Sequence, residues 1–138
     1  MIIIGITMIS LGSRWLIVEE PWMLDKVANI ERLEMTFDEL FEPNINSTLP
    51  GYLRQIYRFF GLWVLIIGLF ISSLSLSIKA IKEKQIVSKI IYIVGFMLIF
   101  GMYLGYTLIP SSHFIILMWG LIALYLISFY SYIKLNVK

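Results

Sequence analysis

The N-terminal apolar run of the chain contains one arginine, Arg14, and two glutamates, Glu19 and Glu20, follow it five and six residues later. If this run is a membrane helix, the guanidinium costs about 3 kcal/mol on insertion scales and needs an interior, a cavity or an acidic partner. Arg14 shares a helical stripe with Thr7 and Ser10. Two interpretations stay open. Arg14 either snorkels to the interface, where Glu19 or Glu20 pairs with it, or lines a polar cavity that binds a ligand.

A wider set of polar and aromatic side chains falls at the same level of the predicted helices. They could line one outward-facing pocket for an anionic or lipid-like ligand, and the set is Arg14, Glu19, Glu20, Arg54, Tyr57, Arg58, Tyr103, Tyr106 and His113. The alternative is an interfacial belt, because tyrosine, tryptophan and arginine gather at membrane surfaces. An enzymatic function would be supported only by His113, if this residue acted together with Glu19 or Glu20.

The rest of the sequence offers little chemistry. The chain has no cysteine and one histidine, which excludes disulfides, a thiolate nucleophile, cysteine-ligated metals and bis-histidine haem. No nucleophile and base pair is apparent, and a single histidine without a spaced acidic motif is not a metal site. We therefore predict no catalytic residue, no metal and no cofactor.

Composition places the chain in a membrane. Of its 138 residues, 59% are hydrophobic and 14% charged, far from the soluble average of roughly half apolar and a quarter charged. Runs of about twenty uncharged residues are long enough to cross a hydrocarbon core of roughly 30 Å as helices. The sequence predicts four transmembrane helices, over about 2–18, 59–78, 90–109 and 114–133. The first is shorter and could instead be re-entrant or interfacial, and it lacks the basic start and cleavage site of a signal peptide.

Short turns after the second and third helices predict an all-α, antiparallel four-helix bundle formed as a single domain over 1–138. Cytoplasmic loops of membrane proteins are enriched in lysine and arginine. One side of this chain carries Lys79, Lys82, Lys84, Lys89, Lys134 and Lys138, and the other carries Lys26, Arg32, Arg54 and Arg58. We therefore expect a multi-pass protein of a plasma or bacterial inner membrane, with both termini cytoplasmic.

The long connection over 19–58 is acidic and patterned. Its apolar positions recur at spacings of three and four, typical of an amphipathic helix over about 22–42; they are Met23, Val27, Ile30, Leu33, Phe37, Leu40 and Phe41. A helix made for anionic lipid should be basic, so an acidic one favours an extracytoplasmic lid over the bundle. The lipid surface and a partner protein remain the alternatives.

Small residues form two faces suited to close helix contact. Gly61, Gly68, Ser72 and Ser75 share one face of the second helix, and Gly101 and Gly105 form a GxxxG on the third. We expect these positions to serve helix packing, either within one chain or between chains.

Three functions fit the sequence. The first is a non-catalytic membrane subunit or scaffold that acts through protein contacts. The second is a binding or transport module for an anionic or lipid-like ligand near Arg14, and the third is a membrane enzyme. The expected partners are membrane lipids and either another protein or a second copy of the chain, with no role for nucleic acid.

Overall fold

The computed structural model describes residues 1–81 and 84–136, and these ranges contain helices and no strand. Six α-helices are joined by short connections and two 3-10 turns, Pro21–Asp25 and Asn44–Asn46. The α-helices are α1 (Ile2–Ile17), α2 (Lys26–Leu33), α3 (Phe37–Phe41), α4 (Leu49–Ile81), α5 (Lys84–Leu108) and α6 (Phe114–Asn136).

Three of these helices are long and apolar enough to cross a membrane, which confirms a helical chain of membrane-protein type. The candidate spans lie within Asn44–Ser77, Gln85–Leu108 and Phe114–Lys134. Helix α1 is also apolar but has 16 residues, a length of about 24 Å at 1.5 Å per residue.

Helix α1 packs along α4 backbone against backbone. Gly5 lies against Gly68, and Gly12 lies against Gly61, so the two helices run antiparallel. A Cβ atom added to Gly12 would lie 2.6 Å from the carbonyl oxygen of Gly61, and one added to Gly68 would lie 2.8 Å from that of Gly5. Glycine is required at these positions because any side chain would force the helices apart.

The predicted serines of α4 continue the face that carries its glycines. The Ser72 hydroxyl lies directly over the Cα of Gly5, where an added Cβ would collide with it. The buried Ser75 hydroxyl donates to the carbonyl of Ile71 at 2.6 Å, the usual way in which a helix satisfies a serine inside an apolar environment.

The GxxxG glycines of α5 face α6 with a looser fit. A Cβ on Gly101 would meet the flexible end of Met118 at 3.1 Å, and one on Gly105 would meet Ile115 at 3.7 Å. The two helices are therefore antiparallel, and side chains rather than backbones separate them.

Helix α1 touches α6 at both of its ends, again in antiparallel order. The amino group of Met1 donates to the Ser128 hydroxyl at 3.1 Å, and the rings of Trp15 and Phe114 lie 4.9 Å apart. The helices α1, α4, α5 and α6 share one cluster of buried residues, made of Ile4, Ile71, Ile90, Val94, Leu98 and Leu121.

Helix α4 begins ten residues before the predicted start at 59. Leu49 and Pro50 open it, in keeping with the tolerance of the first helical turn for proline. As a result, Tyr57 and Arg58 lie inside a continuous helix rather than in the connection. The uncharged run marked the apolar part of the helix, while the helix itself continues outward into polar sequence.

The single amphipathic helix predicted over 22–42 is wrong. The chain forms a 3-10 turn and then α2, which ends where Glu34 adopts a left-handed conformation with φ 56°. Thr36 then starts α3 with a capping box, its hydroxyl accepting from the Glu39 backbone while the Glu39 carboxylate accepts from the Thr36 backbone N–H at 2.7 Å. The hydrogen bonds that the Glu39 carboxylate accepts from Thr36 lower the pKa of Glu39. The Thr36-x-x-Glu39 pattern is a helix-start signal that the apolar periodicity concealed.

Some of the lysines from which the orientation in the membrane was predicted lie outside the described residues. Lys82 and Lys138 are among them, and nothing is described of the side chains of Lys79 and Lys84. Lys89 and Lys134 lie on α5 and α6, at the ends of these helices remote from the 110–113 turn.

Candidate functional site

A buried carboxylate, Asp25, joins the long connection to the turn between α5 and α6. Its side chain accepts a hydrogen bond from the Ser112 hydroxyl at 2.5 Å, and its second oxygen lies 3.2 Å from Nδ1 of His113. Asp25 is 8% exposed and Ser112 is 4% exposed. We call these three residues the Asp25 clamp.

Local sequence positions both halves of the clamp. Asp25 ends the 3-10 turn that Pro21 begins, and the buried Trp22 within this turn holds it against the helices. On the other side, the Ser112 hydroxyl accepts from the backbone N–H of Phe114 at 3.2 Å, so it caps the start of α6 while it donates to Asp25. The Ser112 hydroxyl is therefore both a donor and an acceptor in this part of the structure.

A second polar link lies beside the clamp. Tyr57 of α4 donates to the side-chain oxygen of Asn29 at 3.2 Å, and the amide of Asn29 donates to the carbonyl of Trp22 at 2.7 Å. Arg32 adds a third link, donating to the carbonyl of Thr107 at 3.3 Å. Together with the clamp, these bonds fasten residues 21–34 across the ends of α4, α5 and α6.

The clamp has the groups of an acid–base site without the arrangement of one. Nucleophilic catalysis needs the hydroxyl to face the base, whereas Ser112 donates to Asp25 rather than to His113. The His113 side chain is 53% exposed and its ring lies 4.3 Å from that of Phe114. Within the described ranges, no group of three histidine, cysteine or acidic residues could hold a metal ion. The arrangement of Asp25, Ser112 and His113 holds the long connection to the turn between α5 and α6.

The predicted ligand pocket around Arg14 does not form as a single site. Arg14 is exposed and has no ion pair or hydrogen bond within the described part of the chain, and neither Glu19 nor Glu20 reaches it. Arg54 donates from Nε to the backbone carbonyl of Glu19 at 2.8 Å. Arg58 is exposed on α4, likewise without a partner in the described ranges.

The remaining predicted residues divide between two places. Tyr57 and His113 take part in the fastening described above. Tyr103 and Tyr106 lie exposed on α5, where the Tyr106 hydroxyl accepts from the indole N–H of Trp119 at 3.1 Å. The structure thus brings the nine predicted residues to the same end of the molecule and not to one cavity.

Two clefts border the long connection, and both are small. One has a volume of about 120 Å³ and is lined by residues of the 3-10 turn and α3, including Glu20, Trp22 and Asp38. The other, of about 270 Å³, separates α2 from the 108–111 stretch. Pockets for drug-sized ligands usually measure roughly 300–1,000 Å³ and enclose the ligand with apolar walls. Neither cleft meets this description, since charged residues line both.

The side of α1 turned away from the other helices is the most unusual surface of the protein. It consists of the exposed residues Ile3, Ile6, Ser10, Arg14 and Ile17, which we call the outer face of α1. The opposite side holds the buried Ile4, Gly5, Gly12 and Trp15. The outer face therefore presents an unpaired guanidinium within an apolar helix.

Sequence reasoning missed Asp25, Gly5 and Gly12. Asp25 is one of several acids in the connection and was not singled out, although it follows the strongly apolar Pro21-Trp22-Met23-Leu24. Gly5 and Gly12 are seven residues apart, as Gly61 and Gly68 are, and this matched spacing would have predicted the contact between the two helices.

Comparisons with protein families, with curated proteins and with solved structures find no match to this chain. The fold and the clamp themselves define a class: a small helical protein with spans long enough for a membrane, whose connecting segment is fastened across one end of its helices.

Proposed function

We propose that the protein is a non-catalytic membrane subunit or scaffold that crosses the membrane four times as an antiparallel bundle and acts through protein contacts. Its polar network is used in holding the connecting segment, and the two clefts that border this segment in the described part of the chain are smaller than an enclosed ligand site usually is. The observation that carries the proposal is the orientation of Arg14, whose charge faces outward from the bundle.

The packing of α1 supports a fourth span. Residues 5–12 of α1 lie against residues 61–72 of α4, which extend from near the start of the apolar run over 59–78 to past its centre. A helix packed at that depth beside a spanning helix lies in the hydrocarbon core itself. A bilayer accommodates a helix of about 24 Å by thinning locally or by the snorkelling of residues that flank the helix.

The orientation of the protein in the membrane follows from the distribution of its lysines and from which helix ends lie side by side. The contact between Met1 and Ser128 places the start of α1 beside the end of α6, and Lys89 and Lys134 lie toward that same end. The excess of lysine assigns this end to the cytoplasm. The clamp and the connecting segment then face the outside as a lid.

Labelling tests this topology. Ile45 is 90% exposed in the lid, so Ile45→Cys should react with a membrane-impermeant maleimide on intact cells. Lys134→Cys and an epitope placed before Met1 should become accessible only after permeabilisation. If the epitope is accessible on intact cells together with Ile45→Cys, α1 does not cross the membrane and the protein has three spans.

Replacing Arg14 tests the function. The Arg14 side chain has no ion pair or hydrogen bond in the described chain, so Arg14→Leu should leave the thermal unfolding temperature in detergent unchanged while the assembly extracted from the membrane falls in mass to the 16.1 kDa chain with its lipid. The measurement is native mass spectrometry after gentle extraction. Arg58→Leu is the matched control, because Arg58 is also exposed and unpaired but lies on α4.

The alternative function gives a different result in the same experiment. If Arg14 instead binds an anionic lipid or another small anion, the wild-type chain will carry that ligand alone and Arg14→Leu will lose it without any change in protein mass. That outcome would contradict the scaffold proposal.

A further inference from the structure

We infer that the outer face of α1 is the contact surface for a second copy of this chain, with the two α1 helices side by side and parallel. The inference rests on the proposed function, since it names the protein that the scaffold contacts.

Four residues of the outer face, together with the half-buried Ser13 beside it, follow the spacing of a helix–helix seam. Ile3, Ile6, Ser10, Ser13 and Ile17 are separated by three, four, three and four residues, and Arg14 flanks this stripe. This is the alternation of the a and d positions of a heptad, which keeps one stripe facing a partner helix. Within the chain, α4 and α6 pack on the other side of α1 and leave this stripe uncovered.

The two serines of the stripe have free hydroxyls. Several other hydroxyls on the described helices donate to the carbonyl four residues earlier, as Thr7 does to Ile3 and Ser131 does to Ile127, although the buried Ser72 hydroxyl has no partner either. Neither Ser10 nor Ser13 makes a hydrogen bond within the described part of the chain. Small hydroxyl residues at a membrane helix interface allow close approach and bond across it.

The charges at the end of α1 complement each other between copies. Two copies inserted in the same membrane have the same orientation, so their α1 helices are parallel and their Arg14 side chains lie at the same depth. One turn above each Arg14, about 6 Å along the axis, are the free carbonyls of the other copy's helix end. Glu19 and Glu20 follow this end, and both are exposed without side-chain partners in the described ranges. Helix C-termini and carboxylates both attract a cation.

A second copy satisfies the outer face more completely than other occupants. A lipid phosphate would pair with Arg14 but would make no use of the hydroxyls of Ser10 and Ser13. An unrelated protein would have to bring its own acid to this depth, whereas this chain carries Glu19 and Glu20 at the required level. The symmetric contact is also self-complementary, as an interface with twofold symmetry must be.

Cysteine cross-linking tests the contact. Because the sequence contains no cysteine, any disulfide must form between the introduced residues. We expect Ile6→Cys and Ser10→Cys to form disulfide-linked dimers in oxidised native membranes, because residues on the twofold seam bring their Cβ atoms to within about 4.5 Å. The control is Ile99→Cys, since Ile99 is 71% exposed on α5 and lies in its apolar run. Dimers at Ile99 as abundant as those at Ser10, or none at Ile6 and Ser10, would overturn the inference.

Charge reversal supplies a second readout. Arg14→Glu should reduce cross-linking of Ser10→Cys at least tenfold, and adding Glu19→Lys and Glu20→Lys should restore it. Rescue would not follow if Arg14 only contacted lipid phosphate. If native mass spectrometry shows an assembly that contains a different protein and no second copy, this inference fails while the scaffold proposal stands; a lone chain with lipid contradicts both.

Discussion

Replacing Gly12 with alanine should separate α1 from α4 and destabilise the protein. The new Cβ would lie 2.5 Å from the backbone nitrogen of Leu65 and 2.6 Å from the carbonyl oxygen of Gly61. Both obstacles are backbone atoms, so no rotamer change can relieve the clash. Overpacking typically costs about 1–3 kcal/mol, and a helix displaced along its length places the loss at the upper end. Thermal unfolding in detergent measures it.

Gly120→Ala is the matched control for this effect. Gly120 lies on α6 with no atom within 4 Å of an added Cβ, and alanine has the higher helix propensity by about 1 kcal/mol. The control should therefore be as stable as the wild type or more stable. Equal unfolding temperatures for Gly12→Ala and Gly120→Ala would show that α1 does not rest on α4 as described.

Removing the carboxylate of Asp25 should release the lid from the turn between α5 and α6. Hydrogen bonds to charged groups contribute about 1.5–3 kcal/mol each, and Asp25→Ala also leaves the buried Ser112 hydroxyl without its acceptor. We expect faster tryptic cleavage after Lys26 and Arg32 and faster amide exchange over residues 21–34. The helices themselves should stay folded, because their buried cluster is elsewhere.

Two variants separate the clamp from a general loss of acidic charge. Asp25→Asn keeps an oxygen that can accept from Ser112, so its lid should open less than that of Asp25→Ala. Asp38→Ala removes an exposed acid of α3 and should leave cleavage unchanged. Identical protease sensitivity in Asp25→Ala and the wild type would contradict the clamp.

Long uncharged runs made the apolar helices predictable, since twenty such residues have no stable alternative in lipid. Helix ends were harder, because the first ten residues of α4 include Arg54 and Tyr57, which resemble a loop in composition. The connecting segment was misjudged for a related reason. Its apolar spacing continues through Glu34, where local hydrogen bonding by Thr36 decides that one helix stops and another starts.

The contacts of the Asp25 clamp and of the two sides of α1 depend on how the helices pack, and residue spacing alone does not reveal that packing. The stripe shared by Thr7, Ser10 and Arg14 was correctly seen as one side of α1, but sequence cannot say which side faces the bundle. The matched glycines were the missing signal, because the side that carries Gly5 and Gly12 must face α4. Once that contact is assigned, the opposite side with Arg14 turns outward.

The mass of the assembly extracted with its lipid is the most direct measurement of the central claim, that the protein works through a protein contact made by the outer face of α1. We expect the wild-type chain and Arg58→Leu to carry at least one further protein chain, and Arg14→Leu to carry none at an unchanged unfolding temperature. A wild-type assembly of one chain and lipid, or the same assembly mass in Arg14→Leu as in the wild type, would contradict the central claim.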